Sequence, residues 1–517
     1  MPSAPCTGVG MDVSVNRQDP RYQALLRGHN LRFPENAAVA PGRIAICTTP
    51  AQVRQALQSA VHDGVRPTVR SGGHCYENFS ANNPGGVLLD LSLLNTVDTD
   101  PSTGEYCVAP GAMLGDVYQS LYKRYGLTLP AGSCYTVGAG GHISGGGYGY
   151  LSRLHGLSSD WLAAVDILTV DASGRVAERR VDRKNDPDLF RACCGAGAAG
   201  FGLITAFRFK HLPVAPREVI EVGLHFPWET MTEDQFIALL AAYGDYWATR
   251  GREPDTWGLF ALLGVSSRRS HGRLGMHVQF CQPDGKVEDL SVLREFLAIF
   301  DKFDPVLISS PRDEYRNPVA RQATHQPASA TLQPVPMPWL ESALSDRSGD
   351  GARAKYKSAY MKRTFVPAEA QAMYRFYSGD SLAARSSVVS IDSYGGAVNR
   401  PGLAAETAIA QRSSIMKLQW QCYWFDPAED AQHLQELDEF YTSVYTGAHV
   451  DAHHQGTPWG DAYEGCYMNY ADVDMLRYPY WPELFYGRDG LYEFLQQTKQ
   501  KYDPNNVFHH AMSIRPA

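Results

Sequence analysis

The chain has no stretch rich in lysine or arginine, and its 47 basic residues are outnumbered by 55 acidic ones, for a formal net charge of -8. A nucleic-acid surface needs a clustered basic footprint, so that class of partner is excluded. No apolar run approaches the roughly 20 residues that cross a bilayer. Met1 to Val15 also lack the basic-then-apolar layout of a secretory leader. The expectation is therefore no membrane partner and a cytoplasmic location, with leaderless export left open. None of the ten cysteines forms a Cys-x-x-Cys pair, which argues against a zinc ribbon and a thioredoxin-type site. His449, His453 and His454 have zinc-like spacing, but no glutamate follows the first of them. A polar loop is the better reading there, and no metal is expected. Internal repeats and low-complexity tracts are missing too.

What is present is an ordinary globular composition in a chain of 517 residues, long enough for at least two packed cores. After a polar lead-in over residues 16–40, a strand from Ile44, a helix from Ala51 to Asp63 and a strand from Arg66 to Val69 suggest a β-α-β unit. Strands are expected at Val87–Leu91, Tyr106–Ala109, Leu162–Val170, Val176–Val181 and Gly202–Phe209. Helices are expected at Leu114–Tyr125, closed by Gly126, and at Asp186–Cys193. Beyond Pro213–Pro216 the pattern changes. Helices over Met231–Thr249, Val287–Phe300 and Pro427–Tyr445 alternate with strands at Leu259–Leu263, Leu274–Phe280, Val388–Asp392 and Met416–Trp424. Residues 304–352 read as loop, and Tyr492–Lys501 as a last helix. The fold class is α+β, with a second domain built as an antiparallel sheet covered by helices on one face.

Three glycine-rich segments stand out. Gly195 to Gly200 fits G-x-G-x-x-G literally, but a helix precedes it and a strand follows, the reverse of a Rossmann unit. Two readings remain: close approach of backbone to a ligand, or a flexible connection. Gly138 to Gly149 holds seven glycines in twelve positions. Its bare N–H groups can cradle a pyrophosphate, and the absence of G-K-[ST] excludes a P-loop. Arg70-Ser71-Gly72-Gly73-His74 is a third such turn directly after a strand. It places a histidine toward a ligand and an arginine able to pair with phosphate. The nine tryptophans and 28 tyrosines supply aromatic surface for a flat or sugar-like ligand, although most aromatic residues of any globular chain are core.

Taken together, Val69 to His74, Cys134 to His142, Asp392-Ser393-Tyr394-Gly395-Gly396, Tyr467 to Asp472 and Tyr502 to Phe508 resemble the berberine-bridge-enzyme branch of the vanillyl-alcohol-oxidase flavoproteins. The likeness runs from about Pro41 to the C-terminus. Ser71–Phe79, Gly145–Arg153 and His509-His510-Ala511 are most similar to actinobacterial antibiotic-tailoring sugar oxidases, including glycopeptide hexose oxidases. The resemblance implies a two-domain α+β fold: a lead-in over residues 1–37, an FAD-binding domain over 38–215, a substrate domain over 216–455, and a segment over 456–517 returning to the FAD domain. It implies FAD on two covalent bonds, His74 to the 8α-methyl and Cys134 to ring carbon 6. Arg70, Ser71, Gly72, Gly73, Val137, Gly138, Gly140, Gly141, His142, Gly145, Gly200, Gly202, Ile204, Tyr467 and Asn469 would complete the cofactor site. Tyr470 matches the family's general base, Tyr148 another active-site tyrosine, and Lys417 a lysine paired with it. Tyr76 and Tyr394 match pocket-lining positions.

The activity implied is oxidation of a CH–OH group of a small sugar or glycosylated metabolite, with O2 as acceptor and H2O2 as product, in a monomer or small homo-oligomer. An oxidative ring closure, an O2-independent dehydrogenase and a flavin-binding protein without turnover are the competing readings. Two departures from the family pattern stand out. Cys75 puts a second thiol beside His74, and Ala198-Ala199 replace glycines and would narrow the cofactor channel slightly.

Overall fold

The computed structural model describes residues 13–197, 200–308, 334–345 and 351–517. The Ala198-Ala199 pair lies outside the described residues. Three sheets organise the chain. The first contains β1 (Val13–Asn16), β2 (Arg43–Ile46), β3 (Pro67–Arg70) and β4 (Val87–Asp90), in the order β1-β2-β4-β3. β2, β4 and β3 run parallel, and β1 is antiparallel to β2. The second is antiparallel: β5 (Val97–Thr99), β6 (Tyr106–Val108), β7 (Leu162–Val170), β8 (Val176–Asp182) and β9 (Leu203–Phe209), ordered β5-β6-β9-β7-β8.

The helix Pro50–His62 joins the first two sheets. Thr49 caps it by accepting from the Gln52 N–H, and proline occupies its first turn, where a missing N–H costs nothing. Its buried stripe of Val53, Leu57 and Ala60 packs in one cluster with Val87, Leu89, Leu168 and Val170. The helix Leu114–Tyr125 ends at Gly126, whose φ of 69° supplies the left-handed cap.

The third sheet is eight-stranded and antiparallel. Its strands are β10 (Glu218–Pro227), β11 (Leu259–Ser266), β12 (Arg273–Phe280), β13 (Val306–Ile308), β14 (Met337–Pro338), β15 (Arg353–Met361), β16 (Ser387–Ser393) and β17 (Met416–Trp424). The order is β13-β10-β12-β11-β16-β17-β15, with β14 paired to β10. Helices cover one face: the Tyr243 hydroxyl of helix Glu233–Ala248 lies 2.8 Å from the Ala261 and Ile391 carbonyls. Tyr441 of helix Asp430–Val444 donates to the Ser358 carbonyl at 2.7 Å. The period-2 alternation of β17 puts Met416, Leu418, Trp420 and Cys422 into that fully buried core. Lys417, Gln419, Gln421 and Tyr423 are left on the opposite face. The C-terminal segment runs back over the first two sheets. Phe508 joins the cluster around Val53 and Leu57, and Arg66 donates to the His509 carbonyl at 3.1 Å.

Six strands depart from expectation: the short β5, β13 and β14, the last two inside the 304–352 stretch read as loop, and β1, β10 and β15. β1 lies in what reads as an irregular lead-in, and buries Val15 completely. β10 buries most of its residues on both faces, so it shows no alternation to read. β15 carries Lys355 and Lys357, a polar signature for a buried strand. Both lysines are enclosed in ion pairs, Lys355 with Glu77 and Asp472 at 2.7 Å, and Lys357 with Asp438, Asp472 and Asp474 at 2.7–3.0 Å. A buried ammonium is tolerable only when paired this fully. Among the described residues no helix is long and apolar enough to cross a membrane.

Candidate active site

The open face of the third sheet carries the polar centre. Antiparallel register sets Lys417 on β17 directly opposite Asp392 on β16, and their side chains pair at 2.7 Å. The Lys417 ammonium also donates to the Tyr470 hydroxyl at 2.8 Å. It stands over the rings of Tyr470 at 4.4 Å, Tyr148 at 4.6 Å and Tyr467 at 5.6 Å, a cation–π cage. Burial pushes the Tyr470 phenol well above its ordinary range, and the Asp392 charge adds to this. Burial likewise raises the Asp392 carboxyl, against the opposing pull of Lys417.

Tyr76 belongs to the same group. Its hydroxyl accepts from Gln419 at 2.9 Å, its ring stacks on Tyr356 at 3.5 Å, and Tyr470 is 5.6 Å away. Tyr394 does not line an open pocket. It is fully buried, its hydroxyl donates to the Gln411 carbonyl at 3.1 Å, and its ring backs Tyr148 at 5.2 Å. Tyr148 offers its ring rather than its hydroxyl, which donates to the Ser393 carbonyl.

The two expected tether residues meet at one hydroxyl. His74 Nε2 is 3.1 Å and Cys134 Sγ 3.2 Å from Thr136 Oγ1. His74 stacks on His29 at 3.6 Å. Burial, with His29 adding to it, lowers the His74 imidazole to about 3, so it is neutral at physiological pH, the form in which a ring nitrogen is a nucleophile or ligand. Cys75 occupies other surroundings: it lines a small cavity with Leu26, Gly28, Asn30 and Phe33 of the N-terminal segment. Burial pushes its thiol up to about 11.

The glycine turns pack backbone against backbone. A Cβ on Gly72 would stand 2.4 Å from the Gly138 nitrogen, and one on Gly138 would stand 2.1 Å from Ser71 Oγ. The Ser71 hydroxyl itself lies 2.5 Å from the Pro110 carbonyl. Gly73 takes a φ of 78° beside them. A Cβ on Gly145 would overlap Asn469, whose amide donates to the His142 carbonyl at 2.9 Å and to Tyr467 Oη at 3.1 Å. The Tyr467–Tyr470 segment is thereby fastened to the glycine run. Gly140 packs against Pro110, whereas a Cβ on Gly141 would meet nothing within 4 Å among the described residues, and one on Gly200 only Ile514 at 4.0 Å.

Several expected cofactor residues also make contacts within the chain. The Arg70 guanidinium is held by Asp90 at 2.5 Å and by the Leu25, Leu26 and Arg27 carbonyls. Those partners absorb the donors that were expected to meet a phosphate, so Arg70 is corrected to a clamp on the N-terminal segment. The Val137 carbonyl accepts from the Leu114 N–H at 2.9 Å. Gly202 packs so closely that a Cβ would lie 2.4 Å from the Leu168 carbonyl. Ile204 pairs with Ile167 between β9 and β7. His142 accepts from the Gly132 N–H at 2.9 Å.

Thr136, His29, Asp392 and Gln419 were not singled out from sequence. Thr136 and Asp392 sit inside quoted motifs and Gln419 lies two residues from Lys417, whereas His29 had no signal.

Buried neutral histidines give a pH prediction. Burial lowers both His142 and His155 to about 4. The unfolded chain takes up these protons near pH 6.5, whereas the folded chain does so only near 4. Unfolded protein therefore binds more protons in between, and stability falls as pH drops through that window. The limiting slope for two protons is about 2.7 kcal/mol per pH unit. Thermal unfolding between pH 7 and 5 is expected to show a falling Tm, flattened in a His142→Gln/His155→Gln variant.

Two glycine-rich turns, a histidine and cysteine converging on one hydroxyl, and a Tyr–Lys–Asp centre on a facing sheet define a flavin-linked oxidoreductase. The comparisons agree. The "FAD binding domain" family matches residues 41–178, and the "Berberine and berberine like" family matches 466–515. The aclacinomycin-N/aclacinomycin-A oxidase of Streptomyces galilaeus is 33% identical across 98% of this chain and 90% of its own length. The hexose oxidase of Chondrus crispus is 30% identical across 96% and 94%. The solved structure of a glycopeptide hexose oxidase complexed with teicoplanin superposes with a TM-score of 0.84 at 30% identity, covering 99% of this chain and 100% of that one. The chain belongs to the berberine-bridge-enzyme-like branch of the vanillyl-alcohol-oxidase flavoproteins, and it is an FAD-linked enzyme.

Proposed function

We propose that the protein is an FAD-dependent oxidase of a CH–OH group on a sugar or glycosylated natural product, with FAD bonded to both His74 and Cys134. The observation that carries this reading is the hydrogen-bonded Tyr470–Lys417–Asp392 chain, an acid–base centre in the same site as the His74–Thr136–Cys134 cluster. The names of the relatives, an aclacinomycin oxidase and a hexose oxidase, support the substrate class. His74, Cys134, Ser71 and the backbone around Gly141 and Gly200 would hold the cofactor. The division into residues 38–215 for FAD, 216–455 for substrate and 456–517 as the returning segment belongs to the same reading.

The chemistry FAD supplies when bound is acceptance of a hydride at N5 and return of the electron pair to O2 as H2O2. The chain's own residues do the rest. Tyr470 Oη takes the proton from the substrate hydroxyl as its carbon gives up the hydride and becomes a carbonyl. Lys417 donates to that oxygen and stabilises the phenolate form. Tyr148, Tyr467 and Tyr470 wall the lysine from water, which strengthens its charge.

Anaerobic mixing with a panel of sugars and glycosides is expected to bleach the yellow flavin band, and the same mixture under air is expected to release H2O2. Bleaching without peroxide would reduce the reading to a dehydrogenase, and no bleaching with any hydroxylated compound would remove it.

A further inference from the structure

On the open face of the third sheet, Gly264 of β11 lies directly opposite Gly275 of β12. His225 of β10 flanks Gly275 on one side, and Ser390 of β16 flanks Gly264 on the other. Glycine inside a strand weakens it, and commonly marks a place where a ligand or another backbone comes close. Neither glycine is demanded by the fold. Neither has a positive φ. Among the described residues, a Cβ on Gly264 would meet nothing nearer than 3.5 Å, and one on Gly275 nothing nearer than the His225 ring at 3.8 Å. A Cβ fits at both positions, so the two glycines leave space above the sheet that no atom of the described residues fills within ordinary contact distance.

A second observation points into the same space. Asp392 is one register step along on the same face, between Leu262 of β11 and Lys417 of β17. It is only 7% exposed. Its Oδ2 holds Lys417, while its Oδ1 is buried with no hydrogen-bond partner among the described residues. A buried carboxylate oxygen left unpaired is costly, and an ionised carboxylate can only accept. The missing partner is therefore a donor outside the described residues, and a bound ligand can supply it.

We propose that Gly264, Gly275 and Asp392 form a subsite for a polyhydroxylated ring, which lies flat on the glycine floor and donates one hydroxyl to Asp392 Oδ1. This rests on the oxidase reading and narrows it: the substrate is a polyol rather than an isolated alcohol. The hydroxyl bound by Asp392 is a different one from the hydroxyl that Tyr470 deprotonates. Lys417 bridges the two positions, 2.7 Å from Asp392 and 2.8 Å from Tyr470, so recognition and base share one cation. A charge-assisted bond from a neutral hydroxyl to a buried carboxylate is among the stronger ones. A site built around it discriminates against a ligand lacking that hydroxyl.

The test compares two probes, cellobiose with many hydroxyls and benzyl alcohol with one, by anaerobic flavin reduction over a concentration series. Both react through the same Tyr470 and Lys417, so any effect of the lost charge on the base cancels in their ratio. Asp392→Asn is expected to lower the cellobiose-to-benzyl-alcohol ratio of kcat/KM by about tenfold or more, mostly through KM. Gly264→Val, which fills the floor, is expected to lower the same ratio. A ratio unmoved in both variants overturns the subsite. If Asp392→Asn fails to fold, Gly264→Val decides alone, since a Cβ is tolerated there. If wild type reduces its flavin with neither probe, the oxidase reading passes to the wider panel, and calorimetry settles the subsite separately. Heat of cellobiose binding lost in Gly264→Val supports it, and no heat with wild type overturns it.

Discussion

The His74→Ala/Cys134→Ala double variant is expected to run on a denaturing gel without flavin fluorescence and at the mass of the bare polypeptide. Each single variant is expected to keep the fluorescence and the added mass of one FAD. Both side chains reach the same hydroxyl, Thr136 Oγ1, at 3.1 and 3.2 Å. Two bonding atoms converging on one point can serve neighbouring positions on one ring edge. His74 is also in a fit state for attachment, since it is neutral down to about pH 3. The competing thiol is Cys75, adjacent to His74 in sequence. The structure turns it into the cavity under the N-terminal segment, with its thiol pushed up to about 11, so only a small thiolate fraction is available for reaction near neutrality. Cys75→Ser is expected to leave the attached mass unchanged. A double variant that still carries covalent flavin would transfer the role to Cys75 and end the two-tether reading.

How much of this was legible in the sequence differs by level. β4 and β7 read correctly because they are apolar runs bounded by turn residues, and β17 because its apolar residues alternate with polar ones. β10 and β15 did not, and for opposite reasons: one is buried without alternation, and the other hides two lysines whose partners, Glu77, Asp438, Asp472 and Asp474, are distant in sequence. No local pattern contains that information. The same holds within the site. The motifs yielded Tyr470 and Lys417 individually, but the carboxylate that pairs with Lys417 is fixed by strand register between β16 and β17. Arg70 illustrates the reverse error. An arginine beside a glycine turn looks like a phosphate ligand until Asp90, its register partner on β4, is seen to hold it. Glycines misled in the same way, since a glycine required by backbone-to-backbone packing, such as Gly72 against Gly138, and one that leaves room for a ligand look identical as letters.

Tyr470→Phe is expected to slow flavin reduction about a thousandfold, within the ~10²–10⁴ range that a positioned general base contributes, with KM little changed. The phenylalanine ring keeps the stacking with Tyr76 and the contact under Lys417, and removes only the oxygen that accepts from Lys417 at 2.8 Å. The pH dependence separates this from a structural effect. Burial and Asp392 hold the Tyr470 phenol well above its ordinary value, so the reactive phenolate is a minor species at neutral pH and grows tenfold with each pH unit. Wild-type kcat/KM is therefore expected to rise through the neutral and alkaline range without reaching a plateau below the ordinary phenol value of about 10. The Tyr470→Phe profile should be flat. Lys417→Met should depress the rate as well and lower Tm, because it strands the Asp392 carboxylate without its cation, a loss of about 3–5 kcal/mol when a buried pair is broken from one side. A Tyr470→Phe variant that retained both the wild-type rate and its rising pH profile would move the base to another group in the cage. Tyr467 would be the first candidate, since its ring is 4.9 Å from that of Tyr470 and it faces the same lysine.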